Sequence, residues 1–277
     1  MTAAECSAPE RRVVPRALAW SLVLAGLMAA ASPSRADVVE DLVQLPSAGD
    51  ARLPVLVSRD ESRPPVVAAV LFNGGGGAVG LLQRIPRPGG NFLVRSRALF
   101  AVRGVATAVI DVPTDIASMS DAYRMSPRHA DDVRAVVGEL RRRFPALPVY
   151  LVGTSRGTVS AAYAGAALGD AVAGVVLTST VFNATRGGAG VSGFDWNTIH
   201  SRLLFVHHAD DACQATPYFM ARRVASGRTL VSAHGGDAPR SDPCEAFSAH
   251  GYLGIEAPVV GAIVQWMRGE APPKDVP

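Results

Sequence analysis

Residues 149–158 read VYLVGTSRGT. An apolar run, Val149 to Val152, enters Gly153 and stops at Ser155, with Gly157 two places beyond. A run with no polar alternation is the mark of a strand covered on both faces. Thr158–Leu168 follows as an Ala-rich, helix-compatible segment. A G-x-S-x-G turn between strand and helix is a setting that holds a serine hydroxyl out at the top of a sheet while its backbone stays rigid. Strand and helix must then approach closely, and Gly153, Gly157 and Ala161 are small enough to let them. The bare pentapeptide also suits an ordinary turn; its flanks favour a nucleophile at Ser155.

Strand-like segments recur outward from this point: Val38–Leu45, Leu53–Ser58, Val66–Phe72, Val105–Asp111, Val172–Thr178, Leu203–His208 and Thr229–Ala233. Helical patterns lie between the later ones. In Ser126–Phe144, residues Val133, Val136, Val137, Leu140 and Phe144 form one apolar stripe. Ser126 and Pro127 suit its first turn, and Arg141, Arg142 and Arg143 suit the negative end of its dipole. Ile255–Met267 is a second amphipathic helix before a Pro-rich tail. Early strands followed by β–α alternation predict an α/β fold: a mostly parallel eight-stranded sheet, antiparallel at its start, flanked by helices.

The chain of 277 residues is 48% hydrophobic and 18% charged, a globular composition. Its start differs in kind. Arg11, Arg12 and Arg16 precede the apolar run Ala17–Ala31, and Ser34-Arg35-Ala36 follows as a small-x-small cleavage pattern. This reads as a secretory signal peptide over 1–36, with one domain over 37–277, exported to the periplasm or secreted. The run is short for a membrane span, so no stable membrane association is expected after cleavage. The leader holds four Arg and two Glu of a chain with net charge +3. The remainder is therefore close to neutral, and nothing in the charge calls for nucleic acid.

A serine hydroxyl needs a base, and the base needs a carboxylate. In this strand–turn–helix setting the order along the chain is Ser, acid, His. LLFVHHADDAC, residues 203–213, carries a strand into a loop with Asp210 and Asp211. Two histidines follow a later strand: His234, directly after Thr229–Ala233, and His250, just before the helix at Ile255. His250 is favoured because it abuts that helix. His207 and His208 read as strand-end packing. Donors for an oxyanion are expected from the N–H of Arg156 and from the loop Asn73–Gly77, with Gly74 or Gly75 preferred.

These pieces together, NGGGG, GTSRG, HHADDAC and SAHGYLGIE, resemble the α/β-hydrolase superfamily, in its compact, exported bacterial form. The resemblance implies hydrolysis through an acyl-enzyme without a cofactor, and a small-molecule ester is the favoured substrate; with no C-x-x-C pair and no H-E-x-x-H motif, no metal is expected. It also points to Asp211 rather than Asp210, since His208–Asp211 lies where the family has H-G-x-x-D, with His208 in place of glycine. The 56 residues from Ser155 to Asp211 leave little room for a cap domain. A serine peptidase or thioesterase would use the same triad, and a non-catalytic binding protein would keep only the scaffold.

Cys6 leaves with the leader, so Cys213 and Cys244 remain, an even pair that favours a disulfide between the acid and base loops. Gly75, Gly77 and Gly80 spell G-x-G-x-x-G, a dinucleotide pattern. Pro86, Pro88, Gly89 and Gly90 interrupt the helix that such a site needs. Phe182, Phe194 and Trp196 flank glycines 187, 188, 190 and 193, either as an acyl pocket or as ordinary core and surface aromatics. Arg84, Arg87, Arg95 and Arg97 are either solvated or meet an acidic substrate.

Overall fold

A computed structural model of the chain describes residues 1–2, 37–83 and 90–277. The proposed leader at 3–36, with Cys6, lies outside these residues, as do Arg84 and Arg87. The unit Arg35–Pro277 contains every element discussed below. Among the described residues no helix is long and apolar enough to cross a membrane.

The sheet is built from β1 (Val38–Pro46), β2 (Arg52–Asp60), β3 (Val67–Phe72), β4 (Val105–Ile110), β5 (Val149–Thr154), β6 (Gly174–Thr178), β7 (Arg202–His208), β8 (Thr229–Ala233) and β9 (Asp275–Val276). Their order is β1-β2-β4-β3-β5-β6-β7-β8-β9. β1 and β2 run antiparallel to their neighbours, and every later pairing is parallel. The sheet thus has nine strands, where the sequence predicts eight. The ninth is a two-residue edge strand in the Pro-rich tail, too short to show any periodicity. It is held by burial of Val276 and by pairing with Ser232 and Ala233.

Both faces of the sheet are covered, which explains the unbroken apolar runs. In β3, Ala68, Val70 and Phe72 enter one core while Val67, Ala69 and Leu71 enter the other. The first core takes α4 (Pro127–Arg143), α5 (Gly157–Leu168) and Ala221 of α6 (Tyr218–Val224). The second takes α1 (Phe92–Arg95), Phe100 of α2 (Arg97–Ala101) and α7 (Glu256–Met267). The short helix α3 (Asp121–Arg124) joins the first side.

Helix α4 starts where expected, with the Ser126 hydroxyl accepting from His129 N–H at 3.2 Å and Pro127 in the first turn. Its triple arginine is structural. Arg142 and Arg143 bind Glu139, holding its carboxyl down at about 2, and Arg143 also reaches Asp41. Arg95 and Arg97 are likewise engaged, with Glu256 at 2.8 Å and Glu40 at 2.6 Å. Between β6 and β7 there is only one 3-10 turn, Trp196–Thr198, and no inserted cap. The Gly-rich loop, Ser155, Asp210–Asp211 and the His250 loop all follow parallel strands at the carboxyl edge of the sheet, where open α/β sheets place their ligands.

Candidate active site

Ser155 sits between β5 and α5 with φ +52, a left-handed conformation that a non-glycine residue adopts at a cost. The two glycines of the turn are forced by close approach. A Cβ on Gly157 would lie 2.1 Å from the Phe72 carbonyl oxygen, and one on Gly153 would lie 2.4 Å from that of Gly157. Any side chain at either place would push strand and helix apart. The turn is closed by Thr158 N–H to Ser155 O at 2.9 Å, with the Thr158 hydroxyl on the same oxygen.

Beside it runs the loop after β3. A Cβ on Gly74 would come within 3.0 Å of Ser155 Cβ, so this glycine and the serine are neighbours. The carbonyl of Gly74 accepts from Gly77 N–H at 3.0 Å. Among the described residues the N–H groups of Gly74, Gly75, Gly76 and Arg156 donate to no acceptor. Gly74, Gly75, Gly76, Ser155 and His250 line one cavity of about 460 Å³, with Asn91, Phe92 and Phe247 on its other walls.

The structure brings His250, not His234, to the acid loop. His250 Nδ1 lies 2.9 Å from Asp211 Oδ2, with the side chains 5% and 0% exposed. His234 is half-exposed and pairs with Asp275 at 3.1 Å. Asp211 is further fixed by Cys213 N–H on Oδ1 at 2.9 Å and by the Thr216 hydroxyl on Oδ2 at 2.7 Å. Asp210 is exposed; its N–H donates to His208 Nδ1. With Nδ1–H directed at a carboxylate, His250 keeps its lone pair on Nε2. That buried nitrogen has no hydrogen-bond partner among the described residues.

The base loop is anchored from behind. Tyr252, buried and at φ +58, donates its hydroxyl to Val206 O at 2.7 Å. It accepts from Ser179 N–H at 3.1 Å, and the Ser179 hydroxyl donates to His250 O at 2.7 Å. Cys213 and Cys244 form a disulfide with a Cα–Cα distance of 4.6 Å, joining the acid loop to the base loop. Asp211, Cys213 and His250 offer potential metal-ligating atoms within 4.8 Å of one another. The Cys213 sulfur is committed to Cys244, so the set supplies no thiolate and suits no common zinc site.

His207 and His208 are packed as expected. His207 Nε2 accepts from Thr180 N–H at 2.9 Å, and burial pushes the imidazole down to about 3. His208 bonds Gly235 O at 3.0 Å. Phe182 stacks on His207, and Phe194 and Trp196 pack with Tyr163 and Phe205; none of the three lines the cavity. Of the glycines in that loop, Gly187 accepts from Arg156 through its carbonyl at 2.7 Å, and Gly190 donates to Asp121 at 2.9 Å. Thr216, Ser179 and Tyr252 escape a sequence reading. Only Tyr252 carries a signal, as the aromatic two places after His250.

Neither a protein-family model nor a curated protein sequence matches this chain. Solved structures do. Est1E from Butyrivibrio proteoclasticus aligns over 82% of this chain and 98% of its own, at 15% identity and a TM-score of 0.59. XC6422 from Xanthomonas campestris, described as a serine hydrolase without lid, aligns over 82% and 93%, at 17% identity and 0.57. A CIB-like hydrolase from Thermoplasma acidophilum aligns over 84% and 100%, at 16% identity and 0.56. At these identities the likeness is one of architecture, and that architecture is the α/β-hydrolase fold.

Proposed function

We propose that the chain is a serine hydrolase acting on a small carboxylic ester through Ser155, His250 and Asp211. The observation that carries this reading is that Ser155, in a left-handed conformation, and His250, whose Nε2 has no partner among the described residues, line the same cavity. The structural neighbours include an esterase from an Arctic intertidal metagenomic library (16% identity, TM-score 0.50) and serine hydrolases, which favours ester over other acyl substrates.

In the first step Ser155 Oγ bonds to the ester carbon as its proton passes to His250 Nε2, and the carbonyl π electrons move onto oxygen. Asp211 holds the Nδ1–H tautomer and stabilises the imidazolium. The N–H of Arg156 and that of Gly74 or Gly75 receive the oxyanion. Such donors stabilise the transition state by about 3–4 kcal/mol each. The intermediate collapses, His250 protonates the leaving alkoxide, and an acyl-Ser155 remains. Water, deprotonated by the same nitrogen, repeats the sequence and releases the acid.

Labelling by a fluorophosphonate and hydrolysis of p-nitrophenyl esters test this. Wild type should react in both assays, and Ser155→Ala should label at no detectable rate and lose about 10⁵-fold or more in kcat. A folded wild type that does neither is a binding protein on the same scaffold.

The leader over 1–36 and the disulfide belong to the same proposal: the domain over 37–277 works in the periplasm or outside the cell. Mass spectrometry of protein recovered from the expressing cells should find a chain beginning at Asp37; an intact Met1 in exported material rejects the cleavage.

A further inference from the structure

Arg124 is a cation with 2% exposure at the end of α3. It does not line the cavity that holds Ser155; it lies behind the glycine loop that does. Its Nη2 donates to Gly75 O at 3.1 Å and lies 3.5 Å from Asn73 O, and its Nη1 donates to Ser160 Oγ at 2.8 Å. Nε has no partner among the described residues. The segment leading into α3 grips the same loop, with Met119 N–H on Gly76 O at 2.7 Å.

In a trans peptide the N–H points opposite to the C=O. Units 73–74 and 75–76, with their oxygens turned toward Arg124, therefore present the N–H groups of Gly74 and Gly76 away from it. Gly74, adjacent to Ser155 Cβ, is the better placed of the two. Four consecutive glycines have no side chains to fix these peptide orientations, so an external clamp is needed.

The charge is placed usefully as well. Asp121 forms its ion pair with Arg156 at 2.7 Å and acts on the buried Arg124 only through space, so among the described residues no carboxylate bonds that guanidinium. Burial and the nearby Arg156 lower the Arg124 guanidinium to about 10, so it stays charged at neutral pH. An isolated buried cation is costly unless something offsets it, and such groups cluster at functional sites.

We infer that Arg124 is a positioning residue for the oxyanion hole: its guanidinium clamps the carbonyls of the Asn73–Gly77 loop so that the opposite N–H groups face Ser155, and its charge stabilises the oxyanion through the loop. The inference rests on the hydrolase reading above.

The test measures kcat and KM for p-nitrophenyl acetate, with melting temperature, for wild type, Arg124→Met and Arg124→Lys. Loss of one oxyanion donor costs about 10²–10³-fold in kcat, and Arg124→Met should approach the lower figure with KM within about threefold. Arg124→Lys, keeping the charge and one bond, should recover about tenfold of that loss. A purely structural role would lower the melting temperature and leave kcat of the folded fraction intact; that result overturns the assignment. Should Arg124→Met fail to fold, Ser160→Ala decides, since it frees Nη1 and leaves the packing. A fall of about threefold or more in kcat at constant KM supports the clamp, and unchanged kcat rejects it. A folded wild type that neither labels nor turns over sinks the hydrolase reading, and this assignment with it. An active wild type matched by Arg124→Met sinks the assignment alone.

Discussion

The Ser155 turn and the His250 loop are held in place by opposite means. At the turn, one short stretch and the strand beside it suffice: Gly153 has no room for a Cβ against the Gly157 backbone, and Gly157 has none against the Phe72 carbonyl of β3. At the base loop, residues 234–252 have no regular element longer than one 3-10 turn, and their order comes from distant partners. Ser179 and Val206 hold Tyr252, Cys213 holds Cys244, and Asp211 holds His250. Local sterics fix the serine, while cross-links over long sequence separations fix the histidine. A site built this way has one half encoded in a short motif and one half dependent on the whole sheet.

The comparison breaks hardest at the turn. Gly157→Ala sets a Cβ against backbone oxygen, which cannot move aside as a side chain would. We expect a loss of about 3–5 kcal/mol, measurable by urea unfolding, or no folded protein. An alanine variant of near-native stability would mean that strand and helix are less tightly apposed than described.

Reduction of the disulfide attacks the other half. Freeing a bridge with a sequence separation of 31 should remove about 3–4 kcal/mol on the chain-entropy estimate. Esterase activity measured below the new melting point should also fall, because His250 is then less tightly tethered to Asp211. Unchanged melting and unchanged kcat would leave the base loop held by hydrogen bonds alone.

Tyr252→Phe sharpens that distinction. It removes the hydroxyl bond to the Val206 carbonyl while the Ser179 N–H keeps that carbonyl at 3.1 Å, a loss of about 0.5–1.5 kcal/mol. We expect kcat to fall by about tenfold at near-constant KM, since His250 drifts while the cavity stays. A variant with lowered stability and normal kcat would assign this network to folding only.

The mildest probe is acid. Burial holds His129 and His207 down at about 3, against about 6.5 when unfolded. The unfolded chain therefore takes up protons first as pH drops below neutrality, and stability declines from about pH 6.5 toward 3. From pH 7 to pH 6 the loss should be roughly 1 kcal/mol, read as a lower melting temperature. A flat profile would show that these two imidazoles stay solvated.

Most of the fold was legible because both faces of the sheet are buried. Continuous runs such as Val105–Ile110 stand out against polar surroundings, and β8 was bounded to the residue. The helices α1, α2, α3 and α6, of four to seven residues, were not, since so short a stretch shows less than two turns of period. The site followed the same division. Ser155 announces itself through its glycines, and Cys213 and Cys244 through their number. The choice between His234 and His250 was open on spacing alone, because both follow β8 and only packing shows that His234 faces Asp275 instead. Phe182, Phe194 and Trp196 illustrate the converse: a suggestive cluster in the chain of which Phe182 is buried and the other two are half-buried against the core.

The amino-acid sequence alone determined the strand–turn–helix at Ser155 and the α/β class. These follow from periodicity and from small residues beside a tight turn, both of which are read along a short stretch of chain. Tertiary structure alone decided which histidine meets Asp211, which side chains wall the cavity and that a buried Arg124 stands behind the glycine loop. Those are questions of distance between segments far apart in the chain, and distance is set by the packed sheet and its cross-links.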